Sequence, residues 1–511
     1  SFSAEMGRED KEAIAPESLD IQMKDMKGGA GDVAEEEQDS GVQLKVYRRR
    51  WLMLAVVALL NNSNTMTWIS FAPVDNIANF YYGEGAAKWF SMVYMMMTIP
   101  VGIFSMWAGR FFGTKTAIYV AAIANCLGTA IRLGSSYAPF NLRFPIGITG
   151  QAIAAIAYPF IMYLPSKVAN SWFPHNQRAI AVTVGAMSNP LGVLMANTIV
   201  PYLVTSPDHV PYANILVFVP CCIGLILVLV GVRTGDPKLP PSFSASQEQM
   251  DFVSGLKQCF MSKQYMILFV VMGGGIGMFN CLYTIMQKLL CPSGYENTFA
   301  GWCAALMILG GLLGATGSSI IIDRTKMYEE TMKVALGLAV VFGLIFMQLT
   351  LHPSLGWLIM GLCFLFGVLG LATYPVGLEL SVECTHPVSE ATATGLIVLS
   401  GQIQSVIFVV IMDQLAKPFA AEDPRMATQR CTVNENDTSN RPTDNTIAVM
   451  TFSVIAALLV ALLVFFFKPV YRRLEAEKAN RAASDKREEQ AKLENAKGLP
   501  LPYNVTEPLN A

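Results

Sequence analysis

Long apolar segments, repeated along the whole chain, constrain the fold of this sequence more than any other feature. Twelve segments of about 20 residues are rich in Leu, Val, Ile, Phe, Ala and Met and carry few ionisable residues. A helix needs about 20 apolar residues to cross a bilayer core of about 30 Å. Only 14% of the residues are charged, against about 25% in soluble domains. The sequence therefore predicts an all-α membrane protein with twelve transmembrane helices.

Polar segments divide these spans into two groups of six. We place the spans at residues 51–73, 88–108, 115–134, 145–166, 178–204, 211–232, 264–290, 299–322, 332–351, 355–384, 390–416 and 447–467. Two halves of six helices around a shared site are a common plan of transporters. The predicted organisation is a disordered cytoplasmic tail at 1–44, a six-helix half at 45–232, a cytoplasmic linker at 233–263, a six-helix half at 264–467 and a cytoplasmic tail at 468–511.

Lysine and arginine are unequally distributed between the two sides of the predicted bundle. With the amino terminus inside, the inner loops are rich in basic residues, whereas the short outer loops carry only Lys88, Arg132, Arg143 and Lys288. Cytoplasmic loops normally carry the excess of positive charge. We therefore predict that both termini are cytoplasmic. The expected host is the plasma membrane, with an organelle membrane as the alternative.

One predicted outer loop, at about 417–446, is long and polar. It contains the sequon Asn436-Asp437-Thr438, so we predict glycosylation of Asn436. Cys431 lies in the same loop, and Cys291 follows the seventh span. An oxidising exterior permits a disulfide between these two cysteines. The alternative is a free thiol and an unrelated packing cysteine.

The first span carries an unusual number of polar residues for a helix in hydrocarbon. Asn61, Asn64, Thr65 and Trp68 fall on one helical face. Polar groups in a membrane helix must face protein or water. They could hold helices together through hydrogen bonds. We favour a cavity face, because such bonding rarely needs so many polar groups in one helix.

Carboxylates near the cytoplasmic ends of two spans suggest a gate. Glu379 and Glu383 lie one turn apart in the tenth span, and carboxylates in membrane helices are usually functional. Asp323 and Arg324 follow the eighth span in a segment that resembles the loop signature of the major facilitator superfamily. We predict that Glu383 and Asp323 stabilise an end state at the cytoplasmic surface, while Glu379 reaches further toward the pathway.

Several short motifs together resemble the feline leukaemia virus subgroup C receptor-related transporters, solute carrier family 49, of the major facilitator superfamily. They are the segments at 47–51, 63–69, 89–95, 125–128, 164–173, 375–383, 395–396 and 401–403. Segments at 70–74 and 273–277, with Cys291, are most similar to the branch called major facilitator superfamily domain-containing protein 7. The resemblance implies the major facilitator fold, with twelve helices in two halves. Relatives in this family are described as choline and ethanolamine carriers, and earlier as haem exporters.

The resemblance also implies a set of substrate-binding residues. In the relatives an aromatic cage holds a quaternary ammonium through cation–π attraction. The tryptophan, methionine and span-eleven glutamine of that cage correspond to Trp68, Met95 and Gln402. A glutamine of the cage is replaced here by Tyr158. Its span-seven tyrosine corresponds to Asn280, or by role to the nearby Tyr283.

The remaining residues favour a transporter over an enzyme. No hydrolase, kinase, P-loop, CxxC or metal-binding constellation is present, and the four histidines are separate from one another. We expect no cofactor, no metal and no nucleic-acid partner. The expected partners are a small-molecule substrate and membrane lipid, and we expect a monomer.

The leading hypothesis is a carrier of a small organic solute, such as a choline- or ethanolamine-like amine, that works by alternating access. Uniport is favoured over ion coupling, because no buried Asp or Arg is evident in the central stretches of the first six spans. The alternatives are a haem or porphyrin exporter and a non-transporting receptor or scaffold with a transporter fold.

Overall fold

The described part of the molecule covers most of the predicted spans. The computed structural model describes residues 47–108, 113–235, 252–325, 327–419 and 442–469, together with 426, 428–434, 437, 440, 471, 472 and 475. The predicted tail at 1–44, most of the tail at 468–511 and the predicted glycosylation site Asn436 lie outside these residues.

The first half of the chain, called the N-half below, contains six long helices and one short helix. They are α1 Arg50–Ile69, α2 Asp75–Tyr82, α3 Ala86–Ala108, α4 Gly113–Ser135, α5 Phe140–Trp172, α6 His175–Leu203 and α7 Val210–Gly231. Short 3-10 turns at Ala72–Val74 and Pro207–His209 precede α2 and α7. Proline cannot donate a backbone hydrogen bond. Pro73 therefore lies at the turn between α1 and α2, and α1 ends before it.

The second half, called the C-half, repeats this plan and adds a short helix before its first span. Its helices are α8 Phe252–Met261, α9 Lys263–Leu290, α10 Asn297–Thr325, α11 Tyr328–Leu349, α12 Gly356–Thr385, α13 Glu390–Leu415 and α14 Thr446–Phe466. A 3-10 turn at Cys291–Ser293 follows α9. Two short strands, β1 Lys417–Pro418 and β2 Thr443–Asp444, pair antiparallel between α13 and α14.

Within the described residues, twelve helices are long and apolar enough to cross a membrane. This confirms the predicted all-α fold with twelve spans. The largest differences in helix bounds occur at α5, which begins at Phe140 and ends at Trp172 rather than at 145 and 166. Pro145, Pro159 and Pro165 all lie inside this helix. Membrane helices tolerate proline where neighbouring groups satisfy the freed backbone.

Glycines permit the closest helix pairing in the C-half. A Cβ atom on Gly314 of α10 would lie 1.7 Å from the Val368 carbonyl oxygen of α12. A Cβ atom on Gly367 of α12 would lie 2.1 Å from the Met307 carbonyl oxygen of α10. Only glycine allows backbones this close, and small residues drive helix packing in lipid for this reason. The α10–α12 pair therefore forms a tightly packed unit of the C-half.

The bundle has two ends, which we name by their connecting segments. The loop face carries α2, β1 and β2, and the linker face carries α8 and residues 233–235. At the loop face a disulfide joins Cys291 to Cys431, with a Cα separation of 4.9 Å. This pairing, which the sequence left open, joins Cys431 to the turn that follows α9.

A hydrophobic cluster joins the two halves. It contains Ile69, Ala72 and Met92 of the N-half together with Met286 and Leu289 of the C-half. Apolar contacts of this kind are the bulk of the interface between packed helices. The two halves are therefore in direct contact near the loop face.

Candidate functional site

A cavity of about 360 Å³ lies between the two halves. All its lining residues are polar or aromatic. They are Thr65 and Trp68 of α1, Tyr94 and Thr98 of α3, Tyr158 of α5, Asn189 of α6, Asn280 of α9 and Gln402 of α13. None of these eight side chains is an acid, a lysine, an arginine, a histidine or a cysteine. The cavity can therefore offer ring faces and neutral hydrogen-bonding groups to a small solute.

Trp68 is the half-buried aromatic residue of α1 that borders this cavity. Its ring packs in a cluster with Tyr94 and Tyr158. Its indole Nε1–H is buried, yet it has no hydrogen-bond acceptor among the described residues. Leaving a buried donor unpaired costs about 1–3 kcal/mol. An acceptor on a bound solute would remove that cost.

The C-half contributes amide side chains. Gln402 is buried in α13 and lines the cavity. Asn280 of α9 donates one amide hydrogen to the hydroxyl of Ser405, at 3.1 Å. This bond holds the Asn280 amide at the cavity wall and leaves its other polar atoms for a solute. Of the two candidates for the cage residue of the seventh span, Asn280 and Tyr283, Asn280 is therefore the one that lines the cavity.

Tyr283 and Met95, the other two predicted cage residues, are not among the lining residues. Tyr283 is buried in the cluster between the halves, and its hydroxyl has no hydrogen-bond partner among the described residues. Its ring centroid lies 6.1 Å from that of Phe279. Met95 is also fully buried. The structure thus gathers Trp68, Tyr158, Asn280 and Gln402 at one cavity but not these two.

The predicted cavity role of Asn61 and Asn64 needs correction. Asn61 donates to the Gly185 carbonyl oxygen of α6 at 2.9 Å and accepts from Asn189 at 3.1 Å. Asn64 is fully buried, and its amide contacts Tyr94, Asn125 and the Ala154 carbonyl oxygen. Both amides therefore hold α1 to its neighbours, the role of polar residues between membrane helices. Part of the polar face of α1 is structural, while Thr65 and Trp68 border the cavity.

Tyr94, Thr98 and Asn189 line the cavity although they were not proposed as binding residues. Tyr94 lies inside one of the motifs that carry the family resemblance, the segment 89–95. Asn189 directly precedes Pro190 in the middle of α6. A polar residue beside a proline in an apolar span is the signal that could have identified it.

The predicted gate residues lie toward the linker face. Glu383 is buried near the end of α12, whereas Glu379 is exposed one turn earlier. Residues 380–385 are all buried, so the end of α12 encloses Glu383. Arg324 is exposed at the end of α10, and the side chain of Asp323 lies outside the described part of the structure. The predicted pairing of Glu383 with Asp323 therefore stays a prediction.

Arg132 was placed in a short outer loop, but it lies inside α4 with no exposed surface. Its guanidinium donates to the oxygens of Asn214 and Gln151 and to the Thr67 carbonyl, each at 2.9 Å, and to Ser70 at 2.6 Å. The ring of Phe71 lies 4.0 Å below its Cζ atom. Arg132 is therefore a buried charge in the last turn of α4, outside the central stretches on which the preference for uniport rests, and that preference stays a prediction.

Comparisons with known proteins agree with this architecture. A model of the Major Facilitator Superfamily matches residues 52–409. The chain is 35% identical to Solute carrier family 49 member A3 of Xenopus tropicalis, over 85% of this chain and 90% of that protein. It is 29% identical to the Choline/ethanolamine transporter FLVCR2 of Homo sapiens, over 73% of each chain. The crystal structure of a D-xylose-proton symporter matches with a TM-score of 0.59 and 13% identity, over 83% of this chain and 98% of that one.

Proposed function

Because this chain belongs to the Major Facilitator Superfamily and, within it, to solute carrier family 49, we propose that it transports a small choline- or ethanolamine-like amine. Transport would proceed by alternating access, with the cavity opening in turn to each side of the membrane. The membrane would be the plasma membrane. The closer likeness to the major facilitator superfamily domain-containing protein 7 branch stays a prediction.

The composition of the cavity wall is the observation that carries this proposal. Trp68, Tyr94 and Tyr158 provide aromatic rings, and a ring face attracts an ammonium group by about 0.5–2 kcal/mol. Asn280 and Gln402 provide neutral donors and acceptors for a hydroxyl group. A carrier must also release its solute, and several weak contacts allow this more readily than a buried ion pair. The wall therefore suits a small cation with one polar end.

The chemistry of the cavity wall argues against the haem alternative. A porphyrin is a large, mostly apolar ring, whereas five of the eight lining side chains are polar and not aromatic. No histidine or cysteine lines the cavity, so Tyr94 and Tyr158 are the lining residues that could bind iron. A small polar amine therefore fits this wall better than a porphyrin.

Uptake into cells that express the full chain tests the proposal. Radiolabelled choline, ethanolamine and haem would be supplied separately to expressing and vector-only cells, with surface protein measured in parallel. We expect saturable uptake of choline, ethanolamine or both above the vector level. Haem movement without amine movement would instead favour the exporter hypothesis. If none of the three compounds moved across the membrane although surface protein was normal, the receptor or scaffold hypothesis would be favoured.

The orientation of the chain gives a second prediction. We expect epitope tags at either terminus to stain after digitonin opens the plasma membrane, but not on intact cells, because basic loops remain cytoplasmic. A tag inserted in the 417–446 loop is the matched control and should stain without digitonin. Replacing Asn436 with Gln should remove a glycosidase-sensitive band shift. Terminal tags that stain on intact cells would contradict this topology.

A further inference from the structure

Four charged side chains from both halves meet at the loop face, around a second cavity of about 400 Å³. The N-half supplies Asp75 of α2 and Lys88 of α3. The C-half supplies Lys288 of α9 and Asp413 of α13. We call these four residues the loop-face quartet. Each half contributes one acid and one base, so each half is neutral at this position.

Asp413 is held by both lysines at once. Its Oδ2 atom accepts a hydrogen bond from Lys88 Nζ at 2.6 Å, and its Oδ1 atom accepts one from Lys288 Nζ at 2.6 Å. The Lys88 bond crosses between the halves, whereas the Lys288 bond lies within the C-half. The three side chains are between 23% and 34% exposed, so water screens them only in part. The Lys88–Asp413 pair is therefore a direct electrostatic link between the halves.

Asp75 completes the set from the N-half side. It is 8% exposed, and its Oδ2 atom accepts a hydrogen bond from Asn79 at 2.9 Å. Lys288 and Lys88 both interact electrostatically with its carboxylate. Asp75 thus has one basic neighbour in the opposite half and one in its own half.

The quartet lies on the loop-face side of the substrate cavity. Thr284 lines the quartet cavity, and its hydroxyl donates to the Asn280 carbonyl oxygen at 2.8 Å. Asn280 lines the substrate cavity one helical turn away on α9. Nearby, Asn297 of the C-half donates to Asn76 of the N-half at 2.8 Å. The loop face is therefore closed above the substrate cavity in this structure.

From this arrangement we propose that the loop-face quartet is a gate of the transport pathway that opens by exchanging ion-pair partners. In the closed state Lys88 binds Asp413 across the halves, as observed. When the halves separate, Asp413 keeps Lys288 and Lys88 turns to Asp75. A charged side chain that is partly shielded from water is more stable beside an opposite charge. The exchange gives each lysine and each aspartate an opposite charge nearby in both end states.

This inference rests on the proposed transport function, but its test needs no substrate. Thr284→Cys places a reporter thiol below the quartet, and a membrane-impermeant maleimide added to intact cells reports opening of the loop face. The same chain without Thr284→Cys gives the background from its own cysteines. Lys333→Met is a matched control, because Lys333 pairs with Glu329 within α11 and away from the quartet. We expect this control to label at the rate of the reporter chain alone.

Two variants of the reporter chain then test the two parts of the inference. Lys88→Met removes the direct link between the halves, so we expect labelling about tenfold faster or more. An unchanged rate, with normal surface protein, would overturn the gate.

The exchanged pair Lys88→Asp with Asp413→Lys tests the re-pairing. It preserves attraction across the halves but leaves each half with two like charges and no internal partner. We expect labelling to slow by about fivefold or more relative to the reporter chain. A rate equal to that of the reporter chain would overturn the exchange and leave a simple latch. Absence of amine uptake in every variant would contradict the proposed function and not affect these labelling rates.

Discussion

Replacing Trp68 with alanine is expected to lower amine uptake by about 30-fold or more, with surface protein unchanged. The ring of Trp68 borders the cavity beside Tyr94 and Tyr158. Its loss removes one cation–π face and enlarges the space in which a small solute must be held. Trp68 is only half buried, so the helices around it retain most of their packing. The measurement is uptake of radiolabelled choline and ethanolamine, normalised to surface protein.

A second variant of Trp68 separates the contributions of its ring and its N–H group, and a variant of another tryptophan serves as the control. Trp68→Phe keeps a ring face but removes the indole N–H, which has no acceptor among the described residues. We expect an intermediate loss of uptake if that N–H donates to the hydroxyl end of the solute. Trp357→Ala removes a tryptophan that is 76% exposed at the start of α12, and it should leave uptake unchanged. Normal transport by Trp68→Ala would refute both the site and the amine hypothesis that depends on it.

Replacing Arg132 with methionine is expected to destabilise the folded protein by about 3 kcal/mol or more. The change leaves the side-chain oxygens of Asn214, Gln151 and Ser70 without the hydrogen bonds that the guanidinium donates to them. Each unsatisfied buried group costs about 1–3 kcal/mol. Removing a buried charge gives back part of this cost. We expect the lost hydrogen bonds to outweigh this gain. The neutral acceptors and the ring of Phe71 already offset much of the cost of burying the guanidinium charge, so little is gained by removing it.

Thermal unfolding of the purified protein measures this effect, together with the amount that reaches the membrane. We expect a lower unfolding temperature and less surface protein for Arg132→Met. Arg132→Lys should restore little, since one ammonium group cannot reach the same set of oxygens. Arg233→Met alters an exposed arginine and serves as the control. An unfolding temperature equal to that of the unaltered protein would show that Arg132 is dispensable for stability.

The sequence was sufficient for the helices because each apolar run must cross hydrocarbon. It was less informative at α5, which contains Pro145, Pro159 and Pro165 and extends beyond the predicted bounds at both ends. A single sequence shows where a proline stands, but not whether neighbouring helices satisfy the backbone that it frees. Arg132 was misplaced for a related reason. A charge near the end of an apolar run resembles a loop residue until the neighbours that solvate it are known.

The sequence also predicted only part of the candidate site. Family motifs pointed to Trp68 and Gln402, and the structure places both at one cavity. Their part in binding stays a prediction. Helical spacing placed Asn61, Asn64 and Trp68 on one face of α1, but spacing cannot show which neighbouring helix each side chain meets. The Asn64 amide nitrogen donates to groups on α3, α4 and α5, whereas Trp68 lines the cavity.

The neutral wall of the substrate cavity has a consequence for the electrical behaviour of transport. None of its eight lining side chains carries a charge, so a monovalent cationic solute would cross with its own charge uncompensated by the site. The membrane voltage would then act on the solute itself, by about 2.3 kcal/mol per 100 mV. That energy corresponds to an accumulation of about 50-fold at equilibrium. A cell with a negative interior could concentrate such a solute without a coupling ion.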